Sequence, residues 1–440
     1  MPFVGVLPTM PSIDGTFDQA TLENLVTQFI DQGPEVWNDR TDTYWAGKNY
    51  GKVAELAAIA DSIGMDAAQT QLIDWLKVEL ADWFTANTTG AIDTNKYFAY
   101  DSEWNTLLGF EESFGSHQRL ADHHFHYGYF VRAASEICRV DIAWCGDDQY
   151  GPMIELLIRD YAADDDDEMF PSMRNFDPAN GFSWADGRVN FTRGNNNEST
   201  SEAATAYGAI ILYGLTTGND ALVEKGMYLH ASTSSTYWEY WNNIDGYNNV
   251  SADADNFPAG YGKITTSIIW GDGAVFSTWF SAAYAHILGI QGLPSSPLIL
   301  HVSQYADYME DYVALGLSQS SNGKPSGLVA DQWRDLWWNL WAMVDADAAI
   351  ADYNSAASYI PEAGETKAHT YHWIHTFSAL GQLQTGTGAL NADHPAALAF
   401  EKDGVTNYVV YNFTDQPLSV RYSDGQTVTA APNSFALTSN

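Results

Sequence analysis

Residues 199–216 read STSEAATAYGAIILYGLT, and their spacing decides the fold class. Ala203, Tyr207, Ile210, Ile211 and Gly214 recur three and four apart, which lines one face of a 3.6-residue helix with apolar groups. The same period returns at 50–64, 69–85, 121–140, 151–163, 220–241, 277–289, 298–315, 330–353 and 370–382. Chain breakers lie between these segments: Asn-Thr-Thr-Gly at 87–90, Asn180-Gly181, Gly194-Asn195-Asn196-Asn197, Asn256-Phe257-Pro258-Ala259-Gly260 and Gly292-Leu293-Pro294. Paired helices with long loops predict a mainly α chain resembling a helical toroid, in which loops at one end of an inner helix ring build a cleft.

After Asn391 the pattern changes. The runs 397–402, 407–413, 418–422 and 427–431 are short and β-rich, and Asp403-Gly404, Asp415-Gln416-Pro417 and Asp424-Gly425 separate them as hairpin turns. The chain therefore divides into a lead-in segment at 1–43, a helical body at 44–392 and a small C-terminal β appendage at 393–440. The appendage is expected to pack on the body, because about fifty residues make a thin core alone.

At 440 residues and 45% hydrophobic composition, the chain can bury a sizeable core. Nineteen Lys and Arg stand against 56 Asp and Glu, and the resulting charge of -37 repels nucleic acid and anionic lipid, leaving neutral substrates or cations. The excess is spread along the chain, with one cluster at 164–168, as in a solvated acidic surface adapted to high salt. No run approaches the roughly 18 to 20 apolar residues of a membrane span, and residues 1–11 lack the basic start of a signal peptide. An exported protein would have had its signal removed. Cys138 and Cys145, seven apart, could stand two helical turns apart or across a bend, and they are expected to be structural thiols rather than a bridge. Sixteen Trp and 25 Tyr are enough to line a sugar-stacking surface as well as a core.

The chemistry concentrates in two places. Asp122-His123-His124-Phe125-His126-Tyr127-Gly128-Tyr129-Phe130 packs a carboxylate, imidazoles and phenols into one short run, and burying such groups unpartnered costs roughly a few kcal/mol each. One reading is a satisfied polar stripe at a helix start, where the dipole favours Asp122. A zinc site of Asp122, His124 and His126 is another, although His-His-x-His is not the His-x-x-x-His spacing of a helical metal pair. The second place is 195–203, where Glu198 and Glu202 stand four apart and repel one another. Ser199 to Glu202 makes a capping box, which leaves Glu198 and three asparagines for meeting hydroxyl groups. Together the two places supply what glycoside hydrolysis requires: an acid kept protonated by burial, aromatic rings and neighbouring carboxylates, as Asp122 would be, and a base, Glu202 or Glu198. Carboxyl separation, which distinguishes inversion from retention, is not readable from sequence.

These residues, in order and interval, resemble glycoside hydrolase family 81, the endo-β-1,3-glucanases that cleave laminarin-type glucans. The resemblance runs through Tyr44-Trp45-Ala46-Gly47-Lys48, Tyr100-Asp101-x-x-Trp104, the 122–130 run, Phe170-Pro171-x-x-Arg174-Asn175-Phe176-Asp177, Gly181-Phe182-Ser183-Trp184, the 197–203 run, and 270–294 with Thr278-Trp279-Phe280 and Gly289-Ile290-Gln291-Gly292-Leu293-Pro294. It implies an (α/α)6 barrel acting by inversion on β-1,3-glucan, with no metal and no cofactor. Asp122 would be the general acid, Glu202 the general base, Glu198 a second carboxylate that orients water or tunes Glu202, and His126 a hydrogen-bonding group in the same cleft. Asp101, Trp104, Asp177, Trp184 and Trp270 are candidate substrate-binding residues. A secreted monomer is expected. The departure is at the N-terminus: family members usually carry a β-sandwich before the barrel, whereas here only about forty residues precede Tyr44. Two rival readings stand beside this one, another helical-toroid glycosidase and a non-catalytic glucan-binding protein.

Overall fold

The computed structural model describes residues 3–85, 92, 94–186, 191–249, 257–318, 333–356, 358–386 and 388–440. Its helices are α1 Gln19–Gln32, α2 Pro34–Trp37, α3 Thr43–Ser62, α4 Asp66–Phe84, α5 His123–Val140, α6 Gly151–Ala162, α7 Thr200–Thr217, α8 Asp220–Thr236, α9 Tyr284–Gly289, α10 Ala306–Ser318, α11 Arg334–Ser355 and α12 Lys367–Leu380. The chain is mainly α with a small β part, and no described helix is long and apolar enough to cross a membrane. The loop signal at 87–90, Asn256 and residues 330–332 of the helix expected at 330–353 lie outside the described residues.

Helix composition sorts the helices into inner and outer. α5 and α7 are buried around almost their whole circumference, whereas α6 buries one face through Ile154, Leu157, Ile158 and Tyr161. α5 lies between α3 and α7, α7 also packs on α8, and α12 packs on α11 and α3. Small residues set the approach. A Cβ on Gly128 would stand 2.4 Å from the Cβ of Ala206, and one on Gly47 would stand 3.0 Å from the Cβ of Tyr129. Close crossing at these points brings the N-terminal ends of α3, α5 and α7 together, so that Tyr44 and Tyr129 meet Glu202.

Several elements differ from the sequence expectation. The lead-in carries α1, capped by Asp18, whose carboxylate accepts the Thr21 N–H at 2.7 Å, and α1 packs on α3, α4 and α12. The 277–289 helix is confined to α9. Thr278 and Ser281 bond to local backbone groups instead, an alternative that competes with a helical ladder. The 220–241 helix stops at Thr236 and continues as a π-turn at Tyr237–Trp241. Cys138 and Cys145 are joined in a disulfide, not free thiols: α5 ends at Val140 and the 3-10 turn Ile142–Cys145 folds back, leaving the two Cα atoms 5.7 Å apart.

Strands Phe435–Ser439, Val405–Tyr411, Ala397–Lys402 and Gln382–Leu383 form one antiparallel sheet in that order. Asp403 and Gly404, at φ 52° and 79°, make the two-residue turn whose positive dihedrals match strand twist. Leu418–Arg421 and Thr427–Ala430 make a separate hairpin, and Ala397–Lys402 lies against α12.

Candidate active site

Asp122 is the residue before α5, at φ 57° and ψ 22°, a left-handed conformation costing about 1 kcal/mol or more outside glycine. Its N–H donates to Ala185 O at 2.7 Å and its carbonyl accepts the Phe125 and His126 N–H groups. Its carboxyl caps nothing and makes no hydrogen bond among the described residues. Solvent still reaches part of it. Backbone conformation thus leaves the carboxyl partly exposed and free of the helix end instead of consuming it as a cap.

Glu202 enters from α7. Ser199 caps that helix, its hydroxyl accepting the Glu202 N–H at 3.3 Å, but the Glu202 side chain does not complete a capping box. Its Oε1 accepts the hydroxyls of Tyr44 at 2.9 Å and Tyr129 at 2.7 Å. Burial first, then the Glu202 charge, holds both phenols well above their usual range, so they remain donors. Oε2 takes no hydrogen bond among the described residues, and Glu202 is 5% exposed. Glu198 is half-buried. Its Oε1 accepts the Trp279 N–H at 3.0 Å, and burial, with Glu202 adding to it, pushes the carboxyl up to about 7. Asp122 responds to all of them: burial, then Glu202, Asp186 and Glu198, hold it well above the carboxylate range, against a smaller pull from Arg119. The three carboxyls therefore share one electrostatic environment.

The surrounding scaffold has specific causes. Gln291, buried in the turn after α9, accepts from the Thr200 N–H and hydroxyl and donates to Glu198 O at 2.5 Å, fixing the start of α7. Two of the three asparagines expected to meet sugar hydroxyls, Asn195 and Asn197, spend their side-chain amides on the protein instead. Asn197 donates to Ser183 O and Oγ, Asn195 exchanges bonds with the Asp186 backbone, and Asn196 O accepts the Ala185 N–H. These bonds and the Asn196 main-chain carbonyl hold the 182–186 segment, whose Ala185 carbonyl accepts the Asp122 N–H. The imidazoles also go to separate partners. His123 Nδ1 meets Asp160 at 2.8 Å, His124 Nε2 meets Ser183 Oγ at 2.9 Å, and His126 Nδ1 meets Thr43 Oγ1 at 2.8 Å, with its ring beside Tyr44. Burial pushes His124 down to about 3 and His126 well below its usual range, so both are neutral. Among the described residues no three His, Cys, Asp or Glu side chains converge to hold a metal.

The candidate binding residues divide. Trp270 pairs with Asn196 across a short sheet and stands edge-to-face with Phe191 and Trp279, which ties it to Glu198. Trp184 adjoins Ala185 and donates to Asp177 at 3.2 Å. Asp177 also accepts from Asn180 and from the 179–180 backbone, and these bonds lower its carboxyl although burial opposes them. Asp101 accepts the Glu103 and Trp104 N–H groups in a hairpin turn, and Trp104 is 59% exposed at its tip. Among the described residues, no hydrogen bond links Asp101 or Trp104 to the three carboxyls. Sequence reasoning passed over Tyr44, Tyr129, Asp186, Arg119 and Trp279 as site residues; the one local signal was the aromatic content of 44–48 and 122–130.

A family description, the glycosyl hydrolase family 81 C-terminal domain, matches residues 18–374. The chain belongs to glycoside hydrolase family 81. Similar proteins include a glucan endo-1,3-beta-D-glucosidase of Thermobifida fusca, 38% identical over 437 residues, which are 98% of this chain and 54% of that protein. Another, from Acetivibrio thermocellus, carries the same name and is 37% identical over 434 residues, 98% of this chain and 53% of the relative. The solved structure of a mutant family 81 glycoside hydrolase from Clostridium thermocellum superposes with a TM-score of 0.90 at 36% identity, covering all of this chain and 58% of that one. This chain spans about half the length of the curated relatives it matches.

Proposed function

We propose that this chain hydrolyses β-1,3-glucan of the laminarin or curdlan type at internal bonds, with inversion. The observation that carries the reading is the division of labour among carboxyls: Asp122 uncapped and raised toward the protonated form, Glu202 held on one oxygen by two phenols with the other oxygen open. Asp122 would protonate the departing glycosidic oxygen while Glu202 takes a proton from the water attacking the opposite face. Glu198 orients that water and, by its charge, keeps Asp122 protonated. The greater exposure of Glu198 favours a second reading in which it is the base and Glu202 its neighbour. Trp270, Trp279 and Phe191 would form a stacking platform beside Glu198, with Trp184 on the side of the acid. The relatives' names and family membership support the substrate class. The near-complete burial of α5 and α7, with α3 packed on α5 and α12 on α3, supports an (α/α)6 barrel over 44–392 with a β appendage at 393–440. We also propose a secreted monomer with an acidic, salt-adapted surface.

Reducing-end release from laminarin, set against carboxymethylcellulose, xylan and starch, tests the substrate. Turnover of another polymer without laminarin would remove the assignment. Asp122→Asn and Glu202→Gln should each lower kcat by at least about 10²-fold with glucan binding retained. If Glu198→Gln abolishes turnover while Glu202→Gln leaves most of it, the second reading replaces the first.

A further inference from the structure

Between α3, α5, α7 and α12 lies a small lumen whose lining includes Lys48, Tyr129, Arg132, Thr205 and His369. Three lining atoms are buried without a hydrogen bond: Thr205 Oγ1, Arg132 Nη1 and His369 Nε2, on side chains 3%, 4% and 3% exposed. Leaving such groups dry costs about 1–3 kcal/mol each, and water lodged against two or more of them would satisfy them. Two further facts give the lumen direction. Tyr129 borders it while its hydroxyl donates to Glu202, and Thr205 lies one turn beyond Glu202 on the same helix. At the other end Lys52 and Thr366 line both the lumen and an outer cleft of about 740 Å³ formed with Leu25, Gln28 and Phe29 of α1.

We propose that ordered water fills this lumen and carries the base's proton from Glu202, past Tyr129 and Thr205, to solvent at Lys52 and Thr366. The inference rests on the reading of Glu202 as base. In each turnover the O–H bond of the attacking water breaks as its oxygen joins the anomeric carbon, and Glu202 takes the proton. Asp122 gives its own proton to the departing oxygen and regains one from solvent in the cleft. Glu202, almost fully buried and covered by glucan, must lose its proton before the next turnover, and the lumen offers a route that the substrate does not block.

A high-resolution crystal structure of the intact chain should show water bonded to Thr205 Oγ1 and His369 Nε2; an empty lumen overturns the proposal. Thr205→Val removes one water partner without changing shape. It should lower kcat about three- to tenfold, the worth of one hydrogen bond, with KM unchanged and a larger solvent deuterium isotope effect. Thr205→Ser should restore both. Wild-type kcat and isotope effect in Thr205→Val, at unchanged melting temperature, overturn the relay. A chain inactive on every glucan would sink the proposed function instead, while the crystal would still decide whether the lumen is wet.

Discussion

Gly128→Ala tests whether the crossing of α5 and α7 sets the catalytic geometry. The added methyl would stand 2.4 Å from the Ala206 Cβ and 2.7 Å from its Cα. Carbon atoms in contact keep about 3.5–4.0 Å, so the helices must part locally by about 1 Å. Such overpacking costs about 1–3 kcal/mol, offset by about 1 kcal/mol because alanine favours helix over glycine. Unfolding entropy of about 2.1 cal/mol/K per residue over the 440 residues makes that net loss a fall in Tm of at most about 2 °C. Activity should suffer far more. Asp122 begins α5 and Glu202 lies in the first turn of α7, and a misplacement of about 1 Å between reacting groups costs on the order of 10²-fold. Reducing-end release from laminarin measures it, and Ala206→Gly in the same chain should recover most of the loss. Full kcat in Gly128→Ala, or a double variant no better than the single one, would refute the reasoning.

Glu198→Gln removes one of the charges that hold Asp122 protonated, so Asp122 should lose its proton at lower pH and the alkaline limb of kcat should move down; an unmoved limb in the pH profile contradicts this. Trp279→Ala deletes an exposed ring but keeps the backbone N–H on Glu198, so KM for laminarin should rise up to about tenfold with kcat nearly unchanged; equal loss in both would place the ring in the chemistry. Replacing Cys138 and Cys145 by serine opens a short loop and should cost about 2 kcal/mol, read as a Tm lower by about 2 °C, while kcat holds because the bridge ties the far end of α5. Melting temperature should rise with added salt if the charge of -37 marks a salt-adapted surface, and a flat or falling titration argues against it.

What was legible in the sequence was what local spacing records. The apolar stripe of α7, the β turn at Asp403-Gly404 and the concentration of titratable groups at 122–130 all follow from residues a few positions apart. Glu202 was visible as one of a repelling pair, but its phenolic donors were not, because Tyr44 and Tyr129 come from other helices and meet it only through the packing of α3, α5 and α7. Asn195 and Asn197 show the same limit from the other side. Amides suit sugars and backbone groups equally, and burial against the 182–186 segment decided for the backbone. Seven-residue spacing between Cys138 and Cys145 fitted two helical turns or a bend equally, and the end of α5 at Val140, which spacing does not record, decides for the bend and the bridge.

Proton NMR of laminarin hydrolysis, following the anomeric signals of the first sugar released, is the most direct test of an acid at Asp122 and a water-activating base at Glu202. Single displacement at a β-linkage should release the α-anomer first, with the β-anomer appearing later by mutarotation. Initial release of the β-anomer would contradict inversion and with it the roles given to both carboxyls.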